Sequence, residues 1–528
     1  MPFSDYSLED ELPTVNVNAG TIRGYYKRSY ENRVFSAFEG IPYAKPPIGQ
    51  LRFAEPVPVE PWSGILNATV LYECANPLNI KSADKEEDCL YLNVYVPRKK
   101  PIPNENLDVI VFIYGGFFMM GNTSIYGPEF LMDANVIYVS MNYRVGPFGF
   151  LSTGDDAVKG NNGLKDQVLA LKWVQSNIRY FGGNQRSVTL SGESSGGSSV
   201  HLHYFSNLSK GLFHRGISHS GTALASWSLI TDPLKNAKKL SRAVGCNNSS
   251  TRAMVECMRV VPATVICKYV PVTFTSVGFP ANSFGPVVEK VSKSAFLEDS
   301  AHSFLQRGMV YNVPWMSTTC SSDGIVLLYK NLQTFNEHWL QDMPDILGYE
   351  NTSETEKKNI SNRIVDFYTA ESPIPASVIV NAVDDEEFNI PWEESVLMQA
   401  KVSKSPIYAY YYDYECNADC MAYDREMQHV QDARLIYYDE LLQKPKSEGG
   451  LSKDDEWMKT FLVGIVTSFA HDGVPKPVKF KPVTHASGWR YLHIKDKNNI
   501  RMEYDKHLET IEFWDDILSD VRNQTENL

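Results

Sequence analysis

The chain has 528 residues, of which 43% are hydrophobic, 21% charged and 12% aromatic, a composition that excludes disorder, a collagen-like fibre and a small disulfide scaffold. Its 50 basic and 63 acidic side chains give a formal net charge of −13, which argues against nucleic acid or an anionic membrane surface as a partner. No apolar run reaches roughly 18 residues, so no membrane span is predicted. At roughly 150 residues per domain, length alone suggests three or four domains.

Short apolar runs alternate with helical patterns along the chain, an order typical of an α/β fold. The predicted strands are, in chain order, Thr14–Val17, Val109–Ile113, Val136–Ser140, Ser187–Leu190 and Ile407–Tyr411. The second and third runs are apolar throughout, which indicates buried strands of a mostly parallel sheet. Between Gly163 and Phe181 apolar side chains recur at helical spacing, which predicts a helix that ends at Gly182-Gly183.

The cysteines and the N-terminus point to different compartments. Six of the eight cysteines form close pairs in sequence, as loop-closing disulfides of an oxidising compartment would: Cys74 with Cys89, Cys246 with Cys257 and Cys416 with Cys420. Cys267 and Cys320 are left over. The polar start Met1–Tyr6 lacks a signal peptide's features, so the cytosol is expected if Met1 is the native start. The paired cysteines and several N-x-S/T sequons favour secretion.

The segment Gly192–Gly196 has the pattern G-x-S-x-G between a predicted strand and a probable helix. A serine at a sharp strand-to-helix turn has crowded neighbours, so the flanking positions need glycine. The N-terminal N–H groups of the following helix would point at a developing oxyanion. An ordinary loop is the alternative, and the preceding strand favours Ser194 as a nucleophile.

Seven stretches of the chain resemble blocks of the type-B carboxylesterase family, which includes the cholinesterases. They are Gly40–Ala44, Leu51–Phe53, Glu87–Pro97, Asn142–Gly146, Gly163–Gln167, Phe181–Gly196 and Ser220–Thr222. The resemblance covers nearly the whole chain, and the stretch Gly211–Arg215 is similar to insect members. It implies an α/β-hydrolase fold: a large central, mostly parallel twisted sheet with helices on both faces, and a small N-terminal antiparallel sheet. It also implies one domain over residues 1–528.

The resemblance assigns a general base and an orienting acid to the serine. Asp323 occupies the acid position, where the family usually has Glu, and the alternative is a turn Asp before Gly. His429 fits the base position, although Glu426 replaces the usual Gly and Ala433-Arg434 resemble an insertion. His471 is the nearest rival, but its surroundings match a helical family block. The implied catalytic set is Ser194, Asp323 and His429.

The turn Gly115-Gly116-Phe117-Phe118 occupies the position of the family's oxyanion turn. Backbone N–H groups of Gly115, Gly116, Phe117 and Ser195 are the expected donors. Phe117 and Phe118 would narrow and line the substrate gorge, with plain core packing as the alternative. Whether Phe117 blocks or shapes the site is left open by the sequence.

Further family positions imply structural roles. Arg144 with Asp166 and Arg52 with Glu87 are implied to form buried ion pairs, and Cys74–Cys89 and Cys246–Cys257 are implied disulfides. The loop 74–89 holds no Trp, whereas cholinesterases place a choline-binding Trp there, which argues against choline esters.

The resemblance therefore implies a carboxylic ester hydrolase that needs no metal and no cofactor. Uncharged apolar esters such as xenobiotic, hormone or pheromone esters are the expected substrates. The alternatives are a non-catalytic adhesion or binding protein of the same fold, and a protein that sequesters esters or organophosphates with slow turnover. A small-molecule ester is the expected partner, without nucleic acid or a membrane span, and the chain is expected to be a monomer or a dimer.

Overall fold

The computed structural model describes residues 11–78, 80–247, 249–274, 283–324, 326, 343–344, 346–347, 349, 352–369, 376–416, 429–438, 450–504 and 510–525. The strands within these ranges are β1 Thr14–Val17, β2 Gly20–Arg23, β3 Tyr25–Arg28, β4 Val34–Pro42, β5 Ile65–Asn67, β6 Tyr91–Val96, β7 Leu107–Ile113, β8 Val136–Met141, β9 Gly183–Glu193, β10 Arg215–His219, β11 Trp315–Cys320, β12 Ile407–Tyr412, β13 Arg490–Asp496 and β14 Asn499–Tyr504.

The α-helices of the described residues are α1 Gly146–Phe150, α2 Asn162–Asn177, α3 Ser195–His203, α4 Pro233–Ala243, α5 Thr251–Arg259, α6 Ala263–Tyr269, α7 Ala301–Gln306, α8 Glu354–Tyr368, α9 Ala376–Asp384, α10 Ile390–Val402, α11 Gln431–Ile436, α12 Lys453–Asp472 and α13 Ile511–Thr525. A π-helix, Asp385–Asn389, joins α9 to α10. Helices α2, α3 and α12 pack on the strands at the centre of the sheet.

Eleven of the described strands form one large sheet in the order β14-β13-β12-β11-β10-β9-β7-β8-β6-β4-β3. From β8 to β13 every neighbouring pair is parallel, and the outer pairs are antiparallel. The predicted mostly parallel sheet is confirmed. Because parallel strands end at the same edge, the loops after β7, β9, β11 and β12 meet there.

The predicted strands lie where expected, and most of them extend beyond the ends predicted from the sequence. Strand β9 begins at Gly183 and is longer than predicted, since it pairs with β7 on one side and β10 on the other. The predicted helix is shorter than expected: α2 ends at Asn177, a 3₁₀-helix follows over Ile178–Phe181, and this turn ends at Gly182, whose φ of 94° suits glycine. In the small sheet β1 and β2 are antiparallel as predicted, and β5 adds to β2 in parallel.

The two implied ion pairs and the two implied disulfides are all formed. Arg144 and Asp166 are joined by bonds of 2.7 and 2.8 Å and have side-chain exposures of 3% and 0%. The Nε of Arg52 donates to Glu87 at 2.6 Å. The disulfides are Cys74–Cys89 and Cys246–Cys257.

The other four cysteines have different fates. Cys416 is also disulfide-bonded, and Cys420 lies outside the described residues, as does Glu426. Cys267 and Cys320 are free and buried. Within the described ranges, no helix combines the length and the apolar character needed to cross a bilayer.

Replacing Arg144 by methionine is expected to lower the free energy of unfolding by about 3–5 kcal/mol, because Asp166 would keep a buried carboxylate without its partner. The control is Lys357→Met, which breaks the surface pair with Glu354 and should cost about 0.5 kcal/mol or less. Urea unfolding of both variants measures the difference. Equal losses in the two variants would contradict the structural role of the buried pair.

Candidate active site

Ser194 lies at the sharp turn between β9 and α3, with φ 54° and ψ −125°. A Cβ on Gly196 would lie 2.1 Å from the carbonyl oxygen of Ile113, and one on Gly192 would lie 2.5 Å from Gly196. Only glycine therefore fits on either side of the serine. The Ser194 N–H donates to the carbonyl of His219 at 2.7 Å, which ties the turn to β10.

His429 and Asp323 are brought together from positions far apart in the chain. Nδ1 of His429 lies 2.8 Å from Oδ1 of Asp323, and the two side chains have exposures of 8% and 0%. Nε2 of His429 is buried without a hydrogen-bond partner among the described residues. A carboxylate on Nδ1 favours the tautomer that leaves Nε2 unprotonated, so His429 can accept a proton there.

The loop that carries Asp323 is held by a second carboxyl group. Asp384, at the end of α9, accepts the N–H groups of Ser322 at 3.0 Å and Gly324 at 3.1 Å. Burial and then the charge of Asp323 raise the pKa of Asp384 well above its ordinary value. The sequence pattern assigned no role to Asp384, because it follows Asp323 by 61 positions.

In the turn after β7, one of the predicted oxyanion donors, the N–H of Gly115, is not available. The N–H of Gly115 donates to the carboxylate of Glu193, so it is already engaged. The N–H groups of Gly116 and Ser195 have no acceptor among the described residues and remain candidates. Phe117 follows in the same turn with φ 57°. The candidate donors are therefore Gly116, Phe117 and Ser195.

Phe118 is a second correction, because it is not among the described residues that line the cavity beside Ser194. Its side chain is fully buried, and its ring packs against Phe150 with 5.2 Å between centroids. Its N–H donates to Oγ of Ser195 at 3.1 Å. Phe117 is half-buried and lines that cavity instead. Both residues have left-handed φ values, so their side chains do not follow the regular alternation of an extended strand. The sequence alone therefore could not show which of the two faces the cavity.

One cavity of about 410 Å³ brings these groups together. Ser194, His429, Gly115, Gly116 and Phe117 all line it, and Asp323 lies behind His429. The remaining described lining residues are Glu73, Asn76, Leu78, Tyr114, Met120, Gly121, Asn122, Ile125, Tyr126, Glu193, Val326, Val430 and Arg434. The serine, the histidine and the backbone of the turn after β7 therefore share one partly enclosed space.

A model of the carboxylesterase family matches residues 11–514. The chain belongs to the carboxylesterase family. The family and the enzyme class predicted from the sequence, a carboxylic ester hydrolase, are confirmed.

Known proteins similar to this carboxylesterase include insect esterases. It is 36% identical to venom carboxylesterase-6 of Apis mellifera, over 97% of this chain and 96% of that relative. It is 35% identical to esterase E4 of Myzus persicae, over 88% of this chain and 87% of that relative. The solved structure of juvenile hormone esterase from Manduca sexta has a TM-score of 0.83 at 24% identity, covering 97% of this chain and 100% of that one, and confirms the α/β-hydrolase fold.

Three charged residues of the carboxylesterase cavity, Glu73, Glu193 and Arg434, were not assigned from the sequence. Burial raises the pKa of the Glu193 carboxyl, while His429, the Gly115 N–H and Arg434 act in the opposite direction. Glu193 directly precedes the serine, so its place in the G-x-S-x-G pattern was a usable signal. Arg434 lies in the segment that resembles an insertion, so the family pattern gave no reason to expect it in the cavity wall.

A buried hydrogen-bond network near Ser194 links the elements that carry the candidate site of this carboxylesterase. Asp432, three residues after His429, accepts from Tyr410 at 2.6 Å and Thr318 at 3.0 Å, and lies 2.8 Å from Nδ1 of His219. Burial acts to raise the pKa of Asp432, but His219 and the hydroxyl donors hold it at about 2. The ionised carboxylate thus fixes α11 to the ends of β10, β11 and β12.

The rival histidine of this carboxylesterase lies outside the cavity. His471 is near the end of α12, has a side-chain exposure of 74%, and lies 2.8 Å from Asp108. No group of His, Cys, Asp and Glu in the described ranges is arranged to hold a metal ion. His429 is therefore the base candidate that the fold places beside Ser194.

Proposed function

We propose that this carboxylesterase hydrolyses uncharged carboxylic esters through an acyl-enzyme at Ser194. The single observation that carries the proposal is the cavity that Ser194 and His429 share, with Asp323 bonded to the far nitrogen of that histidine. A serine hydroxyl is a weak nucleophile without an adjacent base, and the base needs an orienting group. Ser194, Asp323 and His429 follow one another along the chain in the order serine, acid, histidine that is usual for α/β-hydrolases.

In the proposed first step, Oγ of Ser194 attacks the ester carbonyl carbon while Nε2 of His429 takes the hydroxyl proton. The carbonyl oxygen becomes an oxyanion, which the N–H groups of Gly116, Phe117 and Ser195 would stabilise. The bond to the alcohol oxygen then breaks, and His429 returns the proton to the leaving alcohol. Water, deprotonated by His429, attacks the acyl-enzyme, and the acid leaves as Ser194 regains its proton.

The preference for uncharged esters rests on the cavity wall. Leu78, Phe117, Met120 and Ile125 provide apolar surface, and aromatic rings add more. A cationic alcohol would lack the loop Trp that binds choline in cholinesterases. Xenobiotic, hormone or pheromone esters fit this description equally well.

The test combines 4-nitrophenyl acetate with diethyl 4-nitrophenyl phosphate. We expect steady release of nitrophenolate from the acetate, and complete loss of turnover once the phosphate has labelled Ser194, located by peptide mass spectrometry. A single burst without turnover would instead indicate a sequestering protein. No release and no labelling of the folded protein would favour the non-catalytic binding protein.

A further inference from the structure

Asp323 is one methylene shorter than the glutamate that the family usually has at this position. Its Oδ1 nevertheless lies 2.8 Å from Nδ1 of His429 and accepts the N–H of Val430 at 3.1 Å. A shorter side chain makes these bonds only if the backbone that carries it lies closer to its partners. The position of the loop after β11 therefore replaces the missing methylene.

Asp384, the last residue of α9, holds this backbone on both sides of Asp323. Its Oδ2 accepts the N–H of Ser322 at 3.0 Å, and its Oδ1 accepts the N–H of Gly324 at 3.1 Å. The Asp384 side chain is buried, with 6% exposure of the residue. Because one carboxyl group engages both donors, it restrains the two neighbours of Asp323 together.

The loop and the end of α9 approach each other so closely that only glycine fits at 324. A Cβ on Gly324 would lie 2.5 Å from the backbone nitrogen of Asp384 and 2.8 Å from its Cα. Ser322 has a φ of 69°, in the left-handed region that a serine rarely adopts. Such a conformation persists only where the surrounding structure holds it. The two hydrogen bonds to Asp384 supply that restraint, so the loop should relax without them.

A second set of contacts joins the adjacent π-helix to the same acid and base. The hydroxyl of Thr319, 3.1 Å from Oδ2 of Asp323, also lies 3.2 Å from Oδ1 of Asn389 at the end of the π-helix. Phe388 of this helix packs on the ring of His429, with 5.1 Å between centroids. π-helical turns are rare and frequent at functional sites. The junction of α9 and the π-helix thus contacts both the acid and the base.

We propose that Asp384 is a positioning residue, whose carboxyl group holds the loop 322–324 where the shorter acid at 323 reaches His429. Asp384 is not among the described residues that line the cavity, so its effect on the reaction passes through Asp323. The inference rests on the proposed function, because it takes Asp323 as the acid that orients His429. It makes the two residues a matched pair: the short acid needs the restrained loop, and a longer acid suits a loop that is not restrained.

The first test replaces Asp384 by alanine, which removes both acceptors. We expect kcat for 4-nitrophenyl acetate to fall about 10- to 100-fold, because a displacement of about 1 Å in a catalytic group costs that much. KM should stay near the wild-type value, since binding in the cavity is not altered. Asp384→Asn keeps the shape and one acceptor, so its loss should be smaller than that of the alanine variant. Circular dichroism and urea unfolding check that the variants are folded.

The second test is the double variant Asp323→Glu/Asp384→Ala. Once Asp384 is removed the loop can relax, and the longer glutamate then has room to make its bond to His429. We expect kcat of the double variant to exceed that of Asp384→Ala, and to lie at least about tenfold above the value that two independent losses would give. A merely structural Asp384 would leave the two losses multiplying. If Asp384→Ala does not fold, Asp384→Asn takes its place in the same comparison.

Asp155→Ala is the matched control. The Asp155 carboxylate also holds a loop, because it accepts the N–H of Ala157 at 2.9 Å and the hydroxyl of Thr251 at 2.7 Å. It is not among the described residues of the cavity lining. Alone it should leave kcat near the wild-type value, and combined with Asp323→Glu it should give only the loss of that substitution.

Two results would overturn the inference while leaving the proposed function intact. One is a folded Asp384→Ala variant with the kcat of the wild type. The other is a double variant whose loss equals the product of the two single losses. The proposed function itself fails differently, through a wild-type protein that neither turns over any ester nor is labelled at Ser194.

Discussion

Replacing Ser194 by alanine is expected to lower kcat for 4-nitrophenyl acetate by about 10⁴- to 10⁶-fold. The oxygen that would carry the acyl group is lost, and neither His429 nor the backbone donors can replace it. The residual rate would come from the N–H groups of Gly116 and Ser195 and from binding alone. Initial rates at saturating substrate, with circular dichroism as the folding check, measure the effect.

Ser199→Ala is the matched control for this loss. Ser199 is a buried serine one turn along α3, where its hydroxyl donates to the carbonyl of Ser195 at 2.9 Å. It is absent from the cavity lining, so its removal should change kcat by no more than a few fold. If the Ser194→Ala variant turned over the ester as fast as the wild type, Ser194 would not be the nucleophile.

The turn at Ser194 and its surroundings were predictable because their signals are local. The strand β9, the glycines at 192 and 196 and the start of α3 follow one another within a single stretch, and each restricts the backbone by itself. The buried strands β7 and β8 were recognisable for the same reason, since their apolar runs have no polar face. Local pattern thus located the strand edge at which the site forms.

The hydrogen bonds of the site were not predictable, because they join distant positions. Gly115 and Glu193 are 78 residues apart, and no pattern around the glycine signals that its N–H is occupied. His219 and Asp432 are 213 residues apart, and each taken alone is an ordinary polar residue. Such bonds depend on how the loops meet after the sheet has formed, which sequence periodicity does not encode.

The single domain predicted over residues 1–528 remains a prediction, although the arrangement of the site favours it. The candidate groups run from Gly116 to His429 in sequence, yet they line one cavity or lie directly behind its wall, at one edge of one sheet. A division into three or four domains would have to separate strands that pair directly, such as β11 and β12.

Asp323→Asn is the second substitution with a large expected effect, a fall in kcat of about 10³- to 10⁴-fold. The asparagine keeps the shape of the side chain but loses the charge that stabilises protonated His429. Both carboxylate oxygens of Asp323 accept hydrogen bonds. Oδ1 faces Nδ1 of His429 and accepts the N–H of Val430, whereas Oδ2 accepts the N–H of Cys320 and the hydroxyl of Thr319. In the Asp323→Asn variant the side-chain nitrogen, itself a donor, would therefore face another donor at either position. If it faced His429, it would also disfavour the tautomer in which Nε2 is unprotonated.

Asp108→Asn is the control for charge removal beside a histidine. Asp108 lies 2.8 Å from Nδ1 of His471, but that pair is outside the cavity. Its loss should leave kcat within a few fold of the wild type. If Asp108→Asn abolished turnover and Asp323→Asn did not, the base would be His471 and the assignment of His429 would be wrong.

Asp323→Glu sharpens the same question, because the family usually has glutamate at this position. In this chain Asp323 is fully buried and its carboxylate is already held by donors from β11 and from the segment of His429. One more methylene in such a packed site costs about 1–3 kcal/mol and displaces the carboxylate from its donors. We therefore expect kcat to fall about 10- to 100-fold, less than in Asp323→Asn because the charge is kept. An unchanged kcat would mean that the loop shifts freely and that the shorter acid is not fitted to its surroundings.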